Sequence, residues 1–311
     1  MSTPNPFIKK IKESPGLRLS VLFGSFFFLL IAVSIIINAI DTVPSLNERS
    51  RILLSSTLQC LLAFCVPAYL LARFSADKKW ATWLEIAKTP KLIALTGVVI
   101  VYIVSMPAME WLIEWNSNIK LPESMSGLET ILRNWEETGE SATKVLLESN
   151  GIFELILGVL VVGIMTGFSE ELFFRGGLQG ILSRTNMGSA AAVWIAAIIF
   201  STMHFQFFGF IPRLLMGAFF GYLLVWSRCL WIPVFAHALN NSIVVISSAL
   251  SGNQSQGIME QTGMSSYLDS EITVISSVVL TVLFLWLGKD IFFKTNQSRW
   301  QKNRFPQTSG R

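Results

Sequence analysis

The chain has 311 residues, of which 52% are hydrophobic and only 14% charged, with a net charge of +4 and a mean hydropathy of +0.54. A soluble domain carries roughly 25% charged residues, so this composition excludes a soluble globular enzyme and describes an integral membrane protein. The basic balance, a pI near 9.0, then reflects membrane orientation and anionic lipid headgroups rather than a nucleic-acid partner.

Apolar runs of the roughly 20 residues needed to span a bilayer occur at 19–40, 53–73, 92–112, 152–182, 187–205, 208–226, 231–250 and 272–293. They predict an all-α polytopic bundle of about eight transmembrane helices. The first run is too long for the apolar region of a cleavable secretory signal, about 7 to 15 residues, and reads as the first span. The fourth run is longer than a span requires and carries Glu170, Glu171 and Arg175, so its later turns either continue as a tilted helix or leave the bilayer.

Loop charges orient the bundle. Lys9, Lys10, Lys12 and Arg18 precede the first run, Arg73, Lys78, Lys79, Lys88 and Lys91 follow the second, and Lys294, Arg299, Lys302, Arg304 and Arg311 follow the last. Segment 113–150 holds seven acids against three bases, and segment 251–271 holds Glu260, Asp269 and Glu271 with no base. By the positive-inside rule the basic segments are cytoplasmic, which places both termini there in a multi-pass protein expected in a bacterial plasma membrane. Within 113–150, Leu128, Ile131, Leu132 and Trp135 are spaced as on one helical face and predict an interfacial helix. This polar segment divides a front part, 1–150, from a site-bearing part, 151–250, with the last helix and basic tail at 251–311. Cys60, Cys65 and Cys229 lie in or beside apolar runs without zinc-site or disulfide spacing and read as packing residues.

Ionisable groups at membrane depth are functional-site candidates by default. The chain has two histidines, His204 and His237, and both lie in apolar stretches. Glu171 and Arg175, four residues apart, face each other on a helix, leaving Glu170, about 100° away, free. His237 and Asn241 also share a helical face. For each feature a purely structural reading exists: an ion pair for Glu171 with Arg175, an interfacial imidazole for His204 among Phe205, Phe207, Phe208 and Phe210, interhelical hydrogen bonding for Asn240 and Asn241, and close packing for Gly176 and Gly177.

In order along the chain, Glu170-Glu171-x-x-x-Arg175, Phe200-x-x-x-His204 and His237-x-x-x-Asn241 resemble the motifs of the CPBP intramembrane proteases. This family embraces CAAX-type prenyl-protein endoproteases, bacteriocin-processing relatives and the Abi group. The resemblance covers residues 168–241. It implies that Glu170, with His204, activates a water, that His237 and Asn241 hold the oxyanion at the scissile carbonyl, and that Glu171 and Arg175 support them. The substrate implied is a membrane-associated protein or peptide. No cofactor is firmly implied, and a metal-free glutamate mechanism is favoured. The alternative is catalytic zinc on Glu170, His204 and His237 with an open water position. Two rival functions use the same groups: a proton-coupled transporter, which would more often show internal pseudo-symmetry, and a catalytically silent scaffold of the same family.

The depth of these residues poses a problem. From the expected cytoplasmic ends, Glu170 lies about 18 Å into its helix and His237 about 9 Å into its own, at 1.5 Å per residue. His204 lies about 17 residues from the start of its run. Their convergence requires tilted or broken helices around a cavity.

Overall fold

The computed structural model describes residues 6–41, 46–149, 151–250 and 270–293. The acidic segment expected to follow the penultimate helix, from 251 to 269, and the basic tail, 294–311, lie outside the described residues. The described residues are mostly helical and contain no strand. It comprises a short N-terminal helix α1 (Pro6–Glu13), then α2 (Pro15–Ile40), α3 (Glu48–Ala76) and α4 (Leu92–Ser117). An amphipathic α5 (Ser126–Leu147) follows. The remaining helices are α6 (Ile152–Leu182), the shorter α7 (Gly188–Thr202), α8 (Phe207–Ser227), α9 (Trp231–Leu250) and α10 (Glu271–Phe293).

Seven of these are long and apolar enough to cross a membrane. Of the eight expected spans, the one that falls short is α7. Its expected run, 187–205, forms a helix of only 15 residues, about 22 Å against a hydrocarbon core of about 30 Å. The chain turns at Met203–Phe205, where Phe205 has φ 55°, and the aromatic residues beyond belong to the turn and to the start of α8. By contrast, α6 continues as one helix through all 31 residues.

Local chemistry sets several boundaries. Asn47 caps α3 by accepting the Ser50 N–H at 2.8 Å, as N-terminal donors require, and α8 ends at Arg228 in the left-handed conformation, φ 53°. Within α6 the turns widen to π-helical spacing at Val159–Met165 and again at Leu172–Gln179. Such turns loosen the backbone ladder, and two carbonyls in the first stretch take side-chain donors: Val161 accepts from Thr166 Oγ1 at 3.0 Å and Val162 from Asn241 Nδ2 at 3.2 Å.

The core that supports α6 is aromatic. Phe173 and Phe174 are at most 1% exposed. Phe173 packs edge-on against Phe23 of α2 and Phe64 of α3, with centroids 5.7 and 5.5 Å apart. Phe174 meets Phe200 of α7 at 5.1 Å. Offset and edge-to-face pairs of this kind are the favoured arrangements of aromatic rings.

Small residues bring α9 against α6. A Cβ on Gly163 would collide with Ser242 Oγ, and one on Gly167 would lie 2.9 Å from the Ala238 nitrogen, so the Gly163-x-x-x-Gly167 face admits α9 at backbone contact. The expected packing role of Gly176 and Gly177 has the same physical form: their Cβ atoms would meet Leu84 at 3.1 Å and Leu22 at 3.3 Å.

The pairing also removes the depth problem. Ala238 meets Gly167 and Ser242 meets Gly163, so α9 runs antiparallel to α6. The buried turn Arg228–Leu230 places Trp231 on the ring of Phe168, centroids 5.6 Å apart. In this register Trp231 lies near the level of Phe174, so α6 runs on about two turns past the start of α9 to Leu182. Counting residues from the start of α9 underestimates the depth of His237.

Candidate active site

Glu171 is the centre of the site. It is 0% exposed, and its Oε1 accepts from Arg175 Nη1 at 2.7 Å and from His237 Nδ1 at 2.9 Å. The Arg175 guanidinium, itself 1% exposed, gives its other terminal nitrogen to the Gly217 carbonyl of α8 at 2.8 Å and stands over the rings of Phe200 and Phe220 at 4.7 and 5.4 Å. One turn further along α6, Gln179 Nε2 donates to the Gly221 carbonyl at 3.0 Å. Glycines at 217 and 221 let α8 approach closely enough for both bonds: a Cβ on Gly221 would lie 2.8 Å from Gln179 Oε1.

His237 is held on every side. Phe220 stacks on its ring at 5.0 Å and 20°, and Phe200 meets it edge-on at 5.9 Å. A carboxylate with two donors on one oxygen only accepts, so the ring proton sits on Nδ1 and Nε2 is the free nitrogen. That Nε2 lies 3.8 Å from Glu170 Oε2, an oxygen with no hydrogen-bond partner among the described residues. His237 thus bridges the two adjacent carboxylates. His204 follows the same logic at the end of α7: its Nδ1 is 2.8 Å from the Phe200 carbonyl, which can only accept, and Nε2 is again free. Asn241 spends one amide hydrogen on the Val162 carbonyl and accepts on Oδ1 from Asn240 at 3.1 Å, retaining one N–H.

Glu170, His204, His237 and Asn241 all line a single cavity of about 1000 Å³. Glu171 and Arg175 lie packed behind it. Among the described residues no three His, Cys, Asp or Glu side chains gather closely enough to hold a metal. Glu170, His204 and His237 as placed are not such a group. The cysteines are unpaired, and Cys60 and Cys229 are buried.

Several residues that shape the cavity carry no legible signal in the sequence. Arg213 lines it from α8 and donates to Gln206 Oε1 at 2.8 Å. Glu136 lines it from α5 and accepts the Phe208 N–H at 3.0 Å. Asn116, 1% exposed, accepts the Ile211 N–H at 2.8 Å and ties the end of α4 to the start of α8. The segment expected to form an interfacial helix is helical, as α5. Leu128, Ile131 and Trp135 are exposed on it, and Arg133 stands 4.0 Å over the Phe208 ring. At its first turns, the Leu121 N–H and the Arg133 guanidinium hold the Glu129 carboxyl below the usual carboxylate range.

Fold and site together define a polytopic helical membrane protein with a carboxylate and imidazole cluster enclosed among its spans. Residues 152–243 match the family model described as Type II CAAX prenyl endopeptidase Rce1-like. A curated relative, "Putative membrane peptidase YdiL" of Bacillus subtilis (strain 168), is 32% identical over 91 residues, 29% of this chain. The match spans 36% of that relative's length. No solved structure matches the chain. The matched segment, 152–243, contains all three motifs that resemble those of the CPBP intramembrane proteases, in their order along the chain.

Proposed function

We propose that the chain is an intramembrane endopeptidase that hydrolyses a peptide bond of a membrane-associated protein or peptide with a water activated by Glu170 and His204. The observation that carries this reading is Glu170, which lines the cavity that also receives both imidazoles and Asn241 and whose Oε2 has no hydrogen-bond partner among the described residues. A carboxylate needs an acceptor oxygen within reach of the proton it removes, and His204 Nε2 offers a second acceptor to orient the same water. Glu170 takes a proton as the water oxygen bonds to the scissile carbonyl carbon. The resulting oxyanion is held by Asn241 Nδ2 and by His237, whose role requires a proton on Nε2 as well as Nδ1. Collapse breaks the carbon–nitrogen bond, and Glu170 returns its proton to the leaving amine.

Glu171 and Arg175 act through His237. Fixing Nδ1 aims Nε2 at the cavity, and preorganised donors directed at developing charge are among the largest catalytic contributions. The apolar wing of the cavity, including Met106, Met109, Met216 and Ile243, suits an apolar substrate segment.

The test is cleavage of membrane-bound peptides by purified protein. Glu170→Ala and His204→Ala are each expected to lower the rate by about 10² to 10⁴, the typical contribution of a positioned acid or base, in protein that remains folded. Cleavage by Glu170→Ala at the parent rate eliminates the base assignment. Full activity in chelator is expected, and activity restored only by added zinc overturns the metal-free route.

A further inference from the structure

The cavity has one sealed end and one open end. Towards the end of α6 it is closed by Phe173, Phe174, Glu171 and Arg175, all at most 1% exposed, and by the Arg175–Gly217 and Gln179–Gly221 hydrogen bonds. Beyond them the connections after α3, α6 and α8 gather at one level: Arg184 Nη2 donates to the Trp83 carbonyl at 2.9 Å and Leu230 donates to the Glu85 carbonyl at 3.0 Å. The same connections carry Lys78, Lys79, Lys88, Arg184 and Arg228.

The opposite end is bounded by Ser117 at the end of α4, Ser247 far along α9, Phe208 at the start of α8, and Glu136 and Glu140 on the underside of α5. All five come from segment 113–150 or from helix ends that meet it. Here α5 forms a roof leaning on the α7–α8 turn, through Glu136 and the Phe208 N–H and through Trp135 against Phe205 at 6.0 Å. Cytoplasmic loops carry the excess of Lys and Arg. The sealed end is the basic one.

We infer that the catalytic cavity opens at the non-cytoplasmic face of the membrane, beneath α5, and that its partner is a polypeptide segment presented on that face. The identity of the partner as a substrate rests on the peptidase reading, whereas the direction of the opening does not. Water for hydrolysis enters from the same side, because the other end is packed with aromatic rings and the buried ion pair.

Single-cysteine variants on a Cys60→Ala, Cys65→Ala, Cys229→Ala background separate the possibilities, read with a membrane-impermeant maleimide on sealed vesicles of defined orientation. Ser117→Cys at the mouth and Ser247→Cys in the wall are expected to label in right-side-out vesicles, and Lys88→Cys only in inside-out vesicles. Labelling of Ser247→Cys only in inside-out vesicles overturns the proposal. The parent protein in the same two preparations, offered an apolar-anchored fluorescent peptide that cannot cross the bilayer, is expected to cut it only when right-side-out. Cleavage confined to inside-out vesicles also overturns the proposal. Outside labelling of Ser247→Cys with no cleavage in either orientation upholds the opening and counts against the peptidase reading.

Discussion

At the level of single residues, the proposed mechanism separates groups that touch a substrate from groups that hold those groups still. Arg175 and Glu171 are of the second kind, and they are costly to disturb. Removing one member of a buried ion pair leaves an uncompensated charge, a loss of about 3–5 kcal/mol, whereas replacing both with apolar residues is often neutral. Arg175→Met is therefore expected to lower the unfolding temperature sharply, and Glu171→Leu with Arg175→Met to recover most of it. The double variant is expected to stay inactive because nothing then fixes His237 Nδ1. Recovery of cleavage together with stability would reduce the pair to a structural one. Asn241 is of the first kind. With one N–H spent on Val162, it has a single donor for the oxyanion, and Asn241→Ala is expected to lower turnover by about 10² to 10³ with little change in KM. Asn241→Asp presents a carboxylate to a developing negative charge and is expected to be at least as damaging; a milder effect than that of Asn241→Ala would exclude the oxyanion role.

At the level of helices, the site depends on glycines that place α9 and α8 against α6. Gly167→Ala sets a Cβ 2.9 Å from the backbone nitrogen of Ala238, so α9 must shift. Overpacking of this kind costs about 1–3 kcal/mol, and small misplacement of catalytic groups costs on the order of 10²-fold in rate. Cleavage is expected to fall while helicity in detergent is retained. Gly24→Ala, with nothing within 4 Å of its Cβ, is expected to change neither, and equal activity in the two variants would show that the α6–α9 approach does not position the site. These glycines mark the limit of what the sequence discloses. Glu170, Glu171, Arg175 and both histidines stand out because charge is conspicuous in an apolar run, and the spans follow from hydropathy alone. Gly163, Gly167, Gly217 and Gly221 have the spacing of helix contacts, but the partner helix is a tertiary fact. Gln179 and Asn116 gain their meaning only from backbone groups brought up by another helix. The length of α7 was obscured by Met203 and Phe205, whose hydrophobicity extends the run past the point where the chain turns.

At the level of the whole molecule, the front helices serve the rear ones: Phe23 of α2 and Phe64 of α3 close on Phe173, two residues from Glu171. Depth was the property least accessible to residue counting, because it depends on where α9 begins relative to α6, and that is set by the buried Arg228–Leu230 turn. The buried ion pair has a further consequence, for biogenesis. Each charged residue at the centre of a membrane helix opposes insertion by about 2.5–3.5 kcal/mol, and α6 carries three of them before α8 and its Gly217 carbonyl have been synthesised. Because Glu171 and Arg175 lie four residues apart on the same helix, α6 brings its own counter-ion and can partition into lipid without waiting for a neighbour. A translocon assay on α6 alone, read by glycosylation of flanking sites, is expected to show less efficient integration for Arg175→Ala than for the parent segment. Equal integration of the two would mean that α6 is retained in the membrane only once α8 arrives.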